Sequence, residues 1–486
     1  MNSILFSDSL TNPTSNTTSN TTSTTDDFYT RNINRTFTSD DKDFTLRCHI
    51  PRSYWTYITD NKYTFVTEYD LVCAEQSLAA LVSGCYHIGS LVGALLNGIL
   101  SDRYGRKFVL VISAILLPFP TIGVWFVRDV SQLCVVNVVR GMASTGAYYN
   151  GYVYISEVAP PSVRALSTNV YMLFNCFSYL LVDLLAASTH NWRNLSVYMG
   201  VIALPLWCSF FFIPESPRWL HSRGRTEEAE SVLAKLIDFS GKTKVSLAEP
   251  TVVSSKVKSY SCVDLLRNIE TLKVTISLLG MWIVIPVLYF SISKFSISYG
   301  GNMYVNYACA CLADIPALLL ATFLISKTVG RRRVNRASFR STGVLVGCIL
   351  LVPKSFVYRH TVTMVITMAA KLTVVPAFVG IFLWTSEIYP TVVRSQGMAM
   401  CTIAEKLGMI SFPFVTTLSQ TVSYDFPFIL ISVAGIVAGL VGFSLPETKG
   451  QPTRENFEDM LEDDQKKTRN SSGGIDNMGL DSEGNP

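Results

Sequence analysis

Residues 98–107 read GILSDRYGRK, and this short charged stretch decides how the sequence on either side of it is interpreted. Uncharged apolar runs extend from Ser77 to Leu100 and from Phe108 to Val127. Each run is long enough to cross a hydrocarbon core of about 30 Å as a helix. We therefore interpret the charged stretch as the hinge between two membrane spans.

The composition is that of a membrane protein. Of the 486 residues, 49% are apolar and 16% are charged, whereas soluble domains carry about 25% charged residues. Further apolar runs follow along the chain, and we predict an all-α protein because unpaired backbone polar groups are costly in lipid. The eleven predicted spans are 77–100, 108–127, 131–156, 165–189, 194–213, 274–293, 302–326, 337–353, 361–386, 395–423 and 426–446.

Lysine and arginine are concentrated in alternate loops between the spans. Cytoplasmic loops carry an excess of these residues, so the pattern orients the chain. It places the C-terminal tail inside and residues 1–76 outside, in a multi-pass protein that we expect in the plasma membrane. The basic positions are Arg103, Arg106, Lys107, Arg164, Arg331, Arg332, Arg333, Arg394 and the loop 214–273.

The outer segment has two features of an extracellular segment. Asn16, Asn20 and Asn34 lie in glycosylation sequons, although a tail rich in Ser, Thr and Asn also produces such sequons by chance. Cys48 and Cys73 are its two cysteines, and they are candidates for a disulfide. We predict that this segment is glycosylated.

The chain contains an internal repeat. SEVAPPSVR, from Ser156 to Arg164, recurs 230 residues later as SEIYPTVVR, from Ser386 to Arg394. Two more pairs keep a similar offset, which indicates two homologous halves. These pairs are Gly105-Arg106 with Gly330-Arg331, and PES at Pro214 with PET at Pro446.

The repeat divides the chain into domains. We assign residues 77–213 to an N-terminal transmembrane half and residues 274–446 to a C-terminal one. A cytoplasmic linker, 214–273, joins them, and a cytoplasmic tail, 447–486, follows. In the linker we predict an amphipathic helix that starts after a capping Thr226. Its apolar face, at helical spacing, is Ala229, Val232, Leu233, Leu236 and Ile237.

Two membrane halves joined by a cytoplasmic linker are the architecture of alternating-access transporters. The opening stretch fits the pattern G-x-x-x-D-R-x-G-R-[RK] at Gly98, Asp102, Arg103, Gly105, Arg106 and Lys107. Through this motif the sequence resembles the major facilitator superfamily. It resembles, more narrowly, solute carrier family 22, the organic cation, anion and carnitine transporters. The motifs that carry this narrower resemblance are TEYDLVC (67–73), PESPRWL (214–220), SEIYPTVVR (386–394) and LPETKGQP (445–452).

The resemblance implies a fold of two pseudo-symmetric helical bundles in the lipid bilayer. It also implies transport of a small organic ion by alternating access, as uniport or with a counter-ion or exchanged anion. Family members have a span before the outer segment, so we expect the first family span to be missing. We find no nucleotide-binding loop and no metal-ligand spacing, and we expect no enzyme activity, cofactor, metal or nucleic acid partner.

Charged residues of the loop motifs are candidates for a cytoplasmic gate. Asp102 lies near a helix end, where a carboxylate can stabilise the N-terminus of another helix. We expect the pairs Glu157–Arg164 and Glu215–Arg218 to extend this network, which the resemblance implies breaks when the protein opens inward. The alternative is that these charges only anchor the topology. The remaining gate candidates are Gly98, Arg103, Gly105, Arg106, Lys107, Gly330, Arg331, Glu387, Arg394 and Glu447.

Ionisable residues inside spans are costly and are functional candidates. By the resemblance, Lys406 stands where cation-handling members carry Asp and anion- or carnitine-handling members carry Arg. A positive charge there favours a carboxylate or sulfonate ligand, and Lys371 matches a second basic position. The alternative for Lys406 is an internal pair with Glu405, although adjacent helical residues point apart. Glu405 and Asp183 add negative charge, which favours cations.

Other family positions give mixed indications. Ser326 replaces an Asp found in many members, so the gate of the second half should be weaker; organic-anion members also lack that acid. Leu318 stands where organic-anion members often place a Lys. Arg140, and Asp314 followed by Pro316, match family positions that are as readily structural as functional.

Aromatic residues complete the candidate site. Trp282, Tyr289 and Phe290 lie roughly on one helical face, and aromatic rings stack on flat ligands or hold cations. We favour a packing role for the crowded tyrosines of the fourth family span. These tyrosines are Tyr148, Tyr149, Tyr152 and Tyr154.

The sequence therefore predicts a transporter of small organic ions, with a preference for organic anions or zwitterions. The first alternative is an organic cation or carnitine-type transporter. The second is a membrane protein that does not transport because it lacks the first span.

Overall fold

The computed structural model describes most of the chain in separate stretches. These are residues 4–6, 36–37, 48, 55–57, 64–159, 164–240, 265, 267, 269–297, 302–325, 330–353, 355–390, 393–423 and 425–449. The positions that lie outside the described residues include Asn16, Asn20, Asn34, Ser326, the tail from 450 onward and the side chain of Arg164.

Helices dominate the described residues, as the apolar runs predict. Each of the eleven predicted spans coincides with one or more of them, and eight helical segments are long and apolar enough to cross a membrane. In chain order the helices are α1 (Phe65–Glu68), α2 (Gln76–Tyr104), α3 (Arg106–Leu116), α4 (Pro118–Gly123), α5 (Val130–Val158), α6 (Arg164–Thr189), α7 (Trp192–Ala203), α8 (Ser209–Phe212), α9 (Pro217–Ser222), α10 (Thr226–Ser240), α11 (Ile269–Ile297), α12 (Met303–Phe323), α13 (Arg331–Leu350), α14 (Arg359–Ile388), α15 (Arg394–Thr421) and α16 (Phe426–Val441).

Helix boundaries depart from the predicted spans at arginine and proline. α13 begins at Arg331, before the predicted start at residue 337, because the helix extends beyond its apolar part. The run 194–213 changes to a 3₁₀ turn at Leu204–Cys208, which contains Pro205, and proline has no N–H to donate. A proline also begins α4, at Pro118, inside the predicted span 108–127.

In its described part, the outer segment contains three short strands, which the prediction of an all-α protein did not include. β1 (Ile4–Phe6) pairs antiparallel with both β2 (Thr36–Phe37) and β3 (Trp55–Tyr57). Aromatic and β-branched residues, which favour strands, make up much of these short pieces. A disulfide joins Cys48 to Cys73 and so ties this segment to the start of α2.

The helices pack in two groups that correspond to the two halves. In the first, α2 meets α5 across glycines: a Cβ on Gly89 would lie 2.0 Å from the carbonyl oxygen of Val138, and one on Gly141 would lie 2.1 Å from that of Tyr86. In the second, α13 meets α16 in the same way at Gly435. Small residues allow membrane helices to approach this closely. The halves touch each other through α2 against α15 and through α6 against α12.

The first part of the linker folds against the end of α2. Trp219 and Leu220 of α9 pack on Ala229 of α10, and Trp219 Nε1 donates to the carbonyl oxygen of Asp102 at 2.9 Å. Thr226, expected as a cap, is the first helical residue. We call the membrane face at this level, predicted to be cytoplasmic, the arginine-rich face, and the other the opposite face.

Candidate functional site

The candidate site is built around two adjacent residues of α15, Glu405 and Lys406. Their side chains lie within the protein, with 1% and 2% of their surface exposed. Lys406 Nζ lies 3.2 Å from Glu405 Oε1, so the two charges form an internal pair. The same ammonium lies 3.7 Å from the sulfur of Met409, almost one turn further along the helix.

Tyr149 of α5 brings the other half of the molecule to this pair. Its hydroxyl donates to Glu405 Oε1 and Oε2 at 3.2 and 3.4 Å, and Lys406 Nζ donates to the hydroxyl oxygen at 2.5 Å. The ammonium also lies 4.6 Å from the centroid of the tyrosine ring. One side chain therefore contacts both charges across the boundary between the halves. Sequence reasoning missed it, because nothing local distinguishes Tyr149 from its neighbouring tyrosines.

Aromatic rings from both halves lie beside this pair. Phe290 of α11 is 5.8 Å from Phe412 of α15 and 6.4 Å from the imidazole of His87 on α2, measured between ring centroids. His87 is close enough to Lys406 for the two to interact electrostatically. Within the described part of the chain, Nδ1 of His87 is buried without a hydrogen-bond partner.

A second pair of buried charges lies wholly inside the C-terminal half. Lys371 Nζ is 3.1 Å from Asp314 Oδ1, and the Tyr289 hydroxyl donates to Asp314 Oδ2 at 2.7 Å. The ammonium stands 3.8 Å from the centroid of the Tyr289 ring. The structure thus brings together three residues singled out in the sequence, Lys371, Asp314 and Tyr289, and Asp314 is the ion-pair partner of Lys371. Pro316 lies inside α12, two residues after this acid.

The remaining intramembrane candidates form no ion pair with either of these two pairs among the described residues. Trp282, a predicted site residue, is packed in the core of the C-terminal half, where its Nε1 donates to Thr385 at 2.9 Å. Asp183 is half-buried on α6, and no ion pair joins it to another described residue. The Arg140 guanidinium lies 5.5 Å from the ring of Tyr86.

The motif residues of the first half form a charge cluster at the arginine-rich face. The Arg106 guanidinium pairs with Glu157 at 3.0 Å and with Asp102 at 2.8 Å. Ser216 donates to the same Glu157 at 2.6 Å. Glu215 Oε1 accepts the N–H of Arg106 at 2.9 Å and therefore lies at the positive N-terminus of α3.

Two acidic side chains of this cluster have contacts that differ from the expected ones. Asp102, expected to stabilise the N-terminus of another helix, is 75% exposed and pairs with the Arg106 side chain. Glu215 is the carboxylate that lies at a helix N-terminus, that of α3. Among the described residues no ion pair joins Glu215 to Arg218, since the carboxylate is occupied by main-chain N–H groups of Arg106 and Lys107. Glu157 is paired with Arg106, and the side chain of its predicted partner lies outside the described residues.

The second half repeats the arrangement. Arg331 pairs with Glu387 at 3.1 Å, and Thr448 donates to Glu387 at 2.5 Å. Glu447 Oε1 accepts the N–H of Arg332 at 3.4 Å, a longer contact than that of Glu215. In the described ranges no ion pair links the first-half cluster to the second-half cluster.

Further contacts repeat with the same offset. Tyr154 donates to the carbonyl oxygen of Pro214, and Trp384 to that of Pro446, both at 3.0 Å. Glycines leave room for the two glutamates: a Cβ on Gly105 would lie 2.1 Å from Glu215, and one on Gly330 would lie 2.1 Å from Glu447. The two clusters are therefore equivalent structures, one in each half.

The other gate candidates are peripheral to these clusters. Arg103 and Lys107 lie over the rings of Tyr104 and Phe210, at 5.4 and 5.3 Å. Gly98 is exposed, with open space around it. Arg394 Nε donates to the carbonyl oxygen of Tyr389 at 3.3 Å.

At the opposite face, a network that sequence reasoning missed ties α1 to α7. The Arg193 guanidinium pairs with Glu68 at 2.8 Å and donates to the carbonyl oxygen of Val124 at 2.8 Å. Trp192 Nε1 donates to the same Glu68 at 2.6 Å. Arg193 also donates to Tyr69, whose pKa burial raises despite this arginine. Glu68 is one of the two acids of the TEYDLVC motif, and this motif was the available signal in the sequence.

Among the described residues, no group of three or more His, Cys, Asp or Glu side chains is placed to hold a metal ion. What the site offers is paired charges, hydroxyls and aromatic rings. Such groups bind an ion without forming a covalent bond to it.

Comparison with known proteins identifies the family. The sugar (and other) transporter family matches residues 37–460. Human organic cation/carnitine transporter 2 is 33% identical over 409 residues, which cover 82% of this chain and 72% of that protein. Mouse solute carrier family 22 member 3 is 27% identical over 407 residues, which cover 84% and 73%.

A solved structure shares the fold. The inward open conformation of the xylose transporter of E. coli superposes with a TM-score of 0.60 at 20% identity, covering 81% of this chain and 91% of the other. These relatives are named as transporters and not as enzymes. This chain belongs to the sugar (and other) transporter family of the major facilitator superfamily and, within it, to the organic ion transporters of solute carrier family 22.

Proposed function

We propose that this protein transports organic cations and carnitine-type zwitterions across the membrane by alternating access. The single observation that carries the proposal is that both buried lysines are paired with buried carboxylates, Lys406 with Glu405 and Lys371 with Asp314. The preference for anions rested on these lysines. Because each positive charge is balanced, the interior does not offer an excess of positive charge at these two positions.

The pair on α15 suits a ligand that carries both charges. A ligand carboxylate that replaces Glu405 at Lys406 makes a charge-assisted hydrogen bond. The ligand ammonium then lies near the released Glu405 and over the ring of Tyr149, an arrangement stabilised by cation–π attraction. A simple cation uses Glu405 and the rings without the lysine.

The names of related proteins support the same substrate class. The human, rat and mouse proteins called organic cation/carnitine transporter 2 are 33%, 32% and 31% identical to this chain. Contacts of Tyr149 with Glu405 and Lys406 also cross from one half to the other. A ligand that competes for these contacts changes how the halves interact, which is what alternating access requires.

Uptake of three labelled probes tests this function: carnitine, tetraethylammonium and estrone sulfate. We expect cells that express the chain to accumulate carnitine and tetraethylammonium well above untransfected cells. Excess unlabelled carnitine should suppress both signals. Uptake of estrone sulfate alone, from cells with the protein at their surface, would reject the proposal in favour of an organic anion carrier.

A further inference from the structure

Three arginines of α13 form a stripe along one side of the helix. Arg332, Arg336 and Arg340 are spaced four residues apart, so their side chains lie on one face, one above the other. At 1.5 Å per residue, Arg340 lies about 12 Å along the axis from Arg332. The arginine stripe therefore starts at the arginine-rich face and extends into the depth of the membrane.

The arginine stripe lies in the seam between α13 and α16. A Cβ on Gly442 would lie 2.6 Å from Cγ of Arg336. The Arg336 and Arg340 guanidinium carbons are 3.0 and 5.6 Å from the centroid of the Phe443 ring. Arg332 donates to the carbonyl oxygen of the same Phe443. Three guanidinium groups are thus gathered around the end of α16.

In the part of the chain that the structure describes, no carboxylate pairs with these three guanidinium groups. Glu387 is used by Arg331, and Glu447 accepts a main-chain N–H of Arg332. Nε of Arg332 and Nε of Arg336 are buried without a hydrogen-bond partner. The positive charge of the arginine stripe is therefore not balanced by these residues.

Apolar side chains around the same seam are open to the surroundings. Val344 follows Arg340 by one turn and is 53% exposed, and Val437 and Leu440 of α16 are 49% and 51% exposed. In a membrane such side chains face lipid. An unpaired arginine beside lipid is costly, so a negatively charged partner at this depth would stabilise the protein.

We propose that the arginine stripe binds the phosphate of an acidic phospholipid, in the leaflet at the arginine-rich face. Arginine forms two parallel hydrogen bonds to phosphate oxygens, and basic pockets between membrane helices on the cytoplasmic side bind anionic head groups. The acyl chains lie along Val344, Val437 and Leu440. A free phosphate ion has no apolar part that would use this surface.

The test compares the full chain with single variants that each remove one charge. Arg336→Gln removes a member of the stripe, whereas Arg333→Gln removes an exposed charge from the same helix end, off the stripe. Each protein is placed in nanodiscs of phosphatidylcholine, with or without phosphatidylserine. We expect phosphatidylserine to raise the Tm of the native chain and of Arg333→Gln by several degrees, but that of Arg336→Gln much less.

Native mass spectrometry supplies a second measurement. We expect Arg336→Gln to retain fewer phosphatidylserine molecules than Arg333→Gln, and Arg336→Lys, which keeps the charge but loses the planar fork, to lie between them. The phosphatidylcholine samples show whether each variant is folded. Equal retention by Arg336→Gln and Arg333→Gln would overturn the proposal. The proposal would also be overturned if inorganic phosphate in detergent raised the Tm of the native chain as much as phosphatidylserine does in nanodiscs. That result would indicate a site for a free anion.

Discussion

Glu215 illustrates how one side chain organises the charged loop of the first half. It accepts hydrogen bonds from two main-chain N–H groups at the start of α3, at 2.9 and 3.1 Å. Gly105 makes this approach possible, because its φ is +105° and a Cβ there would lie 2.1 Å from the carboxylate. A left-handed conformation and a close contact both require glycine at this position.

The carboxylates of the first-half cluster should therefore differ in their effect on stability. We expect Glu215→Gln to lower the free energy of unfolding by about 1–2 kcal/mol, because it removes a charge that accepts N–H groups at a helix N-terminus. Asp102→Asn should cost less than about 1 kcal/mol, since an exposed ion pair contributes little. Unfolding in mixed micelles measures both. A larger loss for Asp102→Asn would contradict the assigned roles.

At the residue scale, the sequence predicts which residues matter better than it predicts their partners. The motif identifies Arg106, Glu157 and Glu215, but Arg106 and Glu215 are 109 positions apart, so their contact depends on how the helices pack. Tyr149 is a stronger example, since 256 positions separate it from Glu405. Periodicity carries no information about such contacts.

At the element scale, helix ends are held by side chains that reach across to other elements. At the opposite face, Arg193 at the start of α7 contacts Glu68 and the carbonyl oxygens of Val124 and Trp125. This guanidinium joins α1, the end of the second span and α7. The three elements are close in space although they are far apart in the sequence.

Arg193→Gln should loosen this network. We expect a loss of about 2–3 kcal/mol in the free energy of unfolding, because the charged pair with Glu68 and the bonds to main-chain oxygens are removed together. Arg193→Lys keeps the positive charge but lacks the planar guanidinium group with its several N–H donors. It should therefore recover only part of the lost free energy of unfolding. Chemical unfolding of the three proteins in the same micelle makes the comparison. Full stability of Arg193→Gln would show that the network is dispensable.

Spans are the elements that the sequence predicts best, because length and apolar content decide them. The start of α13 was predicted too late, since its arginines are polar even though the helix continues through them. The strands at the N-terminus were not predicted. Two or three residues are too few to show alternation, and their pairing is non-local.

At the scale of the whole molecule, the halves meet along two helix pairs. On α2 and α15 one such contact lies toward the opposite face, where a Cβ on Gly84 would be 3.7 Å from the Phe414 ring. The charge clusters at the arginine-rich face each belong to one half. Alternating access requires the contacts between the two halves, such as that of Gly84 with Phe414, to open and close.

Fixing the contact between α2 and α15 should stop transport. We expect cross-linking of a Gly84→Cys/Phe414→Cys variant with a bifunctional methanethiosulfonate reagent to reduce uptake severely and dithiothreitol to restore it, because the halves can no longer separate there. Each single-cysteine variant, treated identically, controls for the free cysteines of the chain. Full uptake by cross-linked protein would mean that this contact does not move.

The two-half organisation follows from the repeat, and the sequence predicts it because duplicated motifs keep a nearly constant offset. The contacts between the halves could not be predicted in the same way. Those of Tyr149 with Glu405 and Lys406 join residues that are not repeated in equivalent positions. The preference for anions rested on the two lysines without these contacts, because the sequence alone does not show that Tyr149 joins Glu405 and Lys406.

The proposal that Glu405 and Lys406 bind opposite charges of one ligand is tested most directly by uptake of labelled carnitine and tetraethylammonium. Lys406→Gln should lower carnitine uptake by about tenfold or more, equivalent to about 1.4 kcal/mol, and affect tetraethylammonium much less. Glu405→Gln should reduce uptake of both probes, because each carries an ammonium group. Uptake is normalised to the protein at the cell surface. If each variant changed the uptake of carnitine and of tetraethylammonium by the same factor, Glu405 and Lys406 would not bind opposite charges of one ligand, and the proposal would be contradicted.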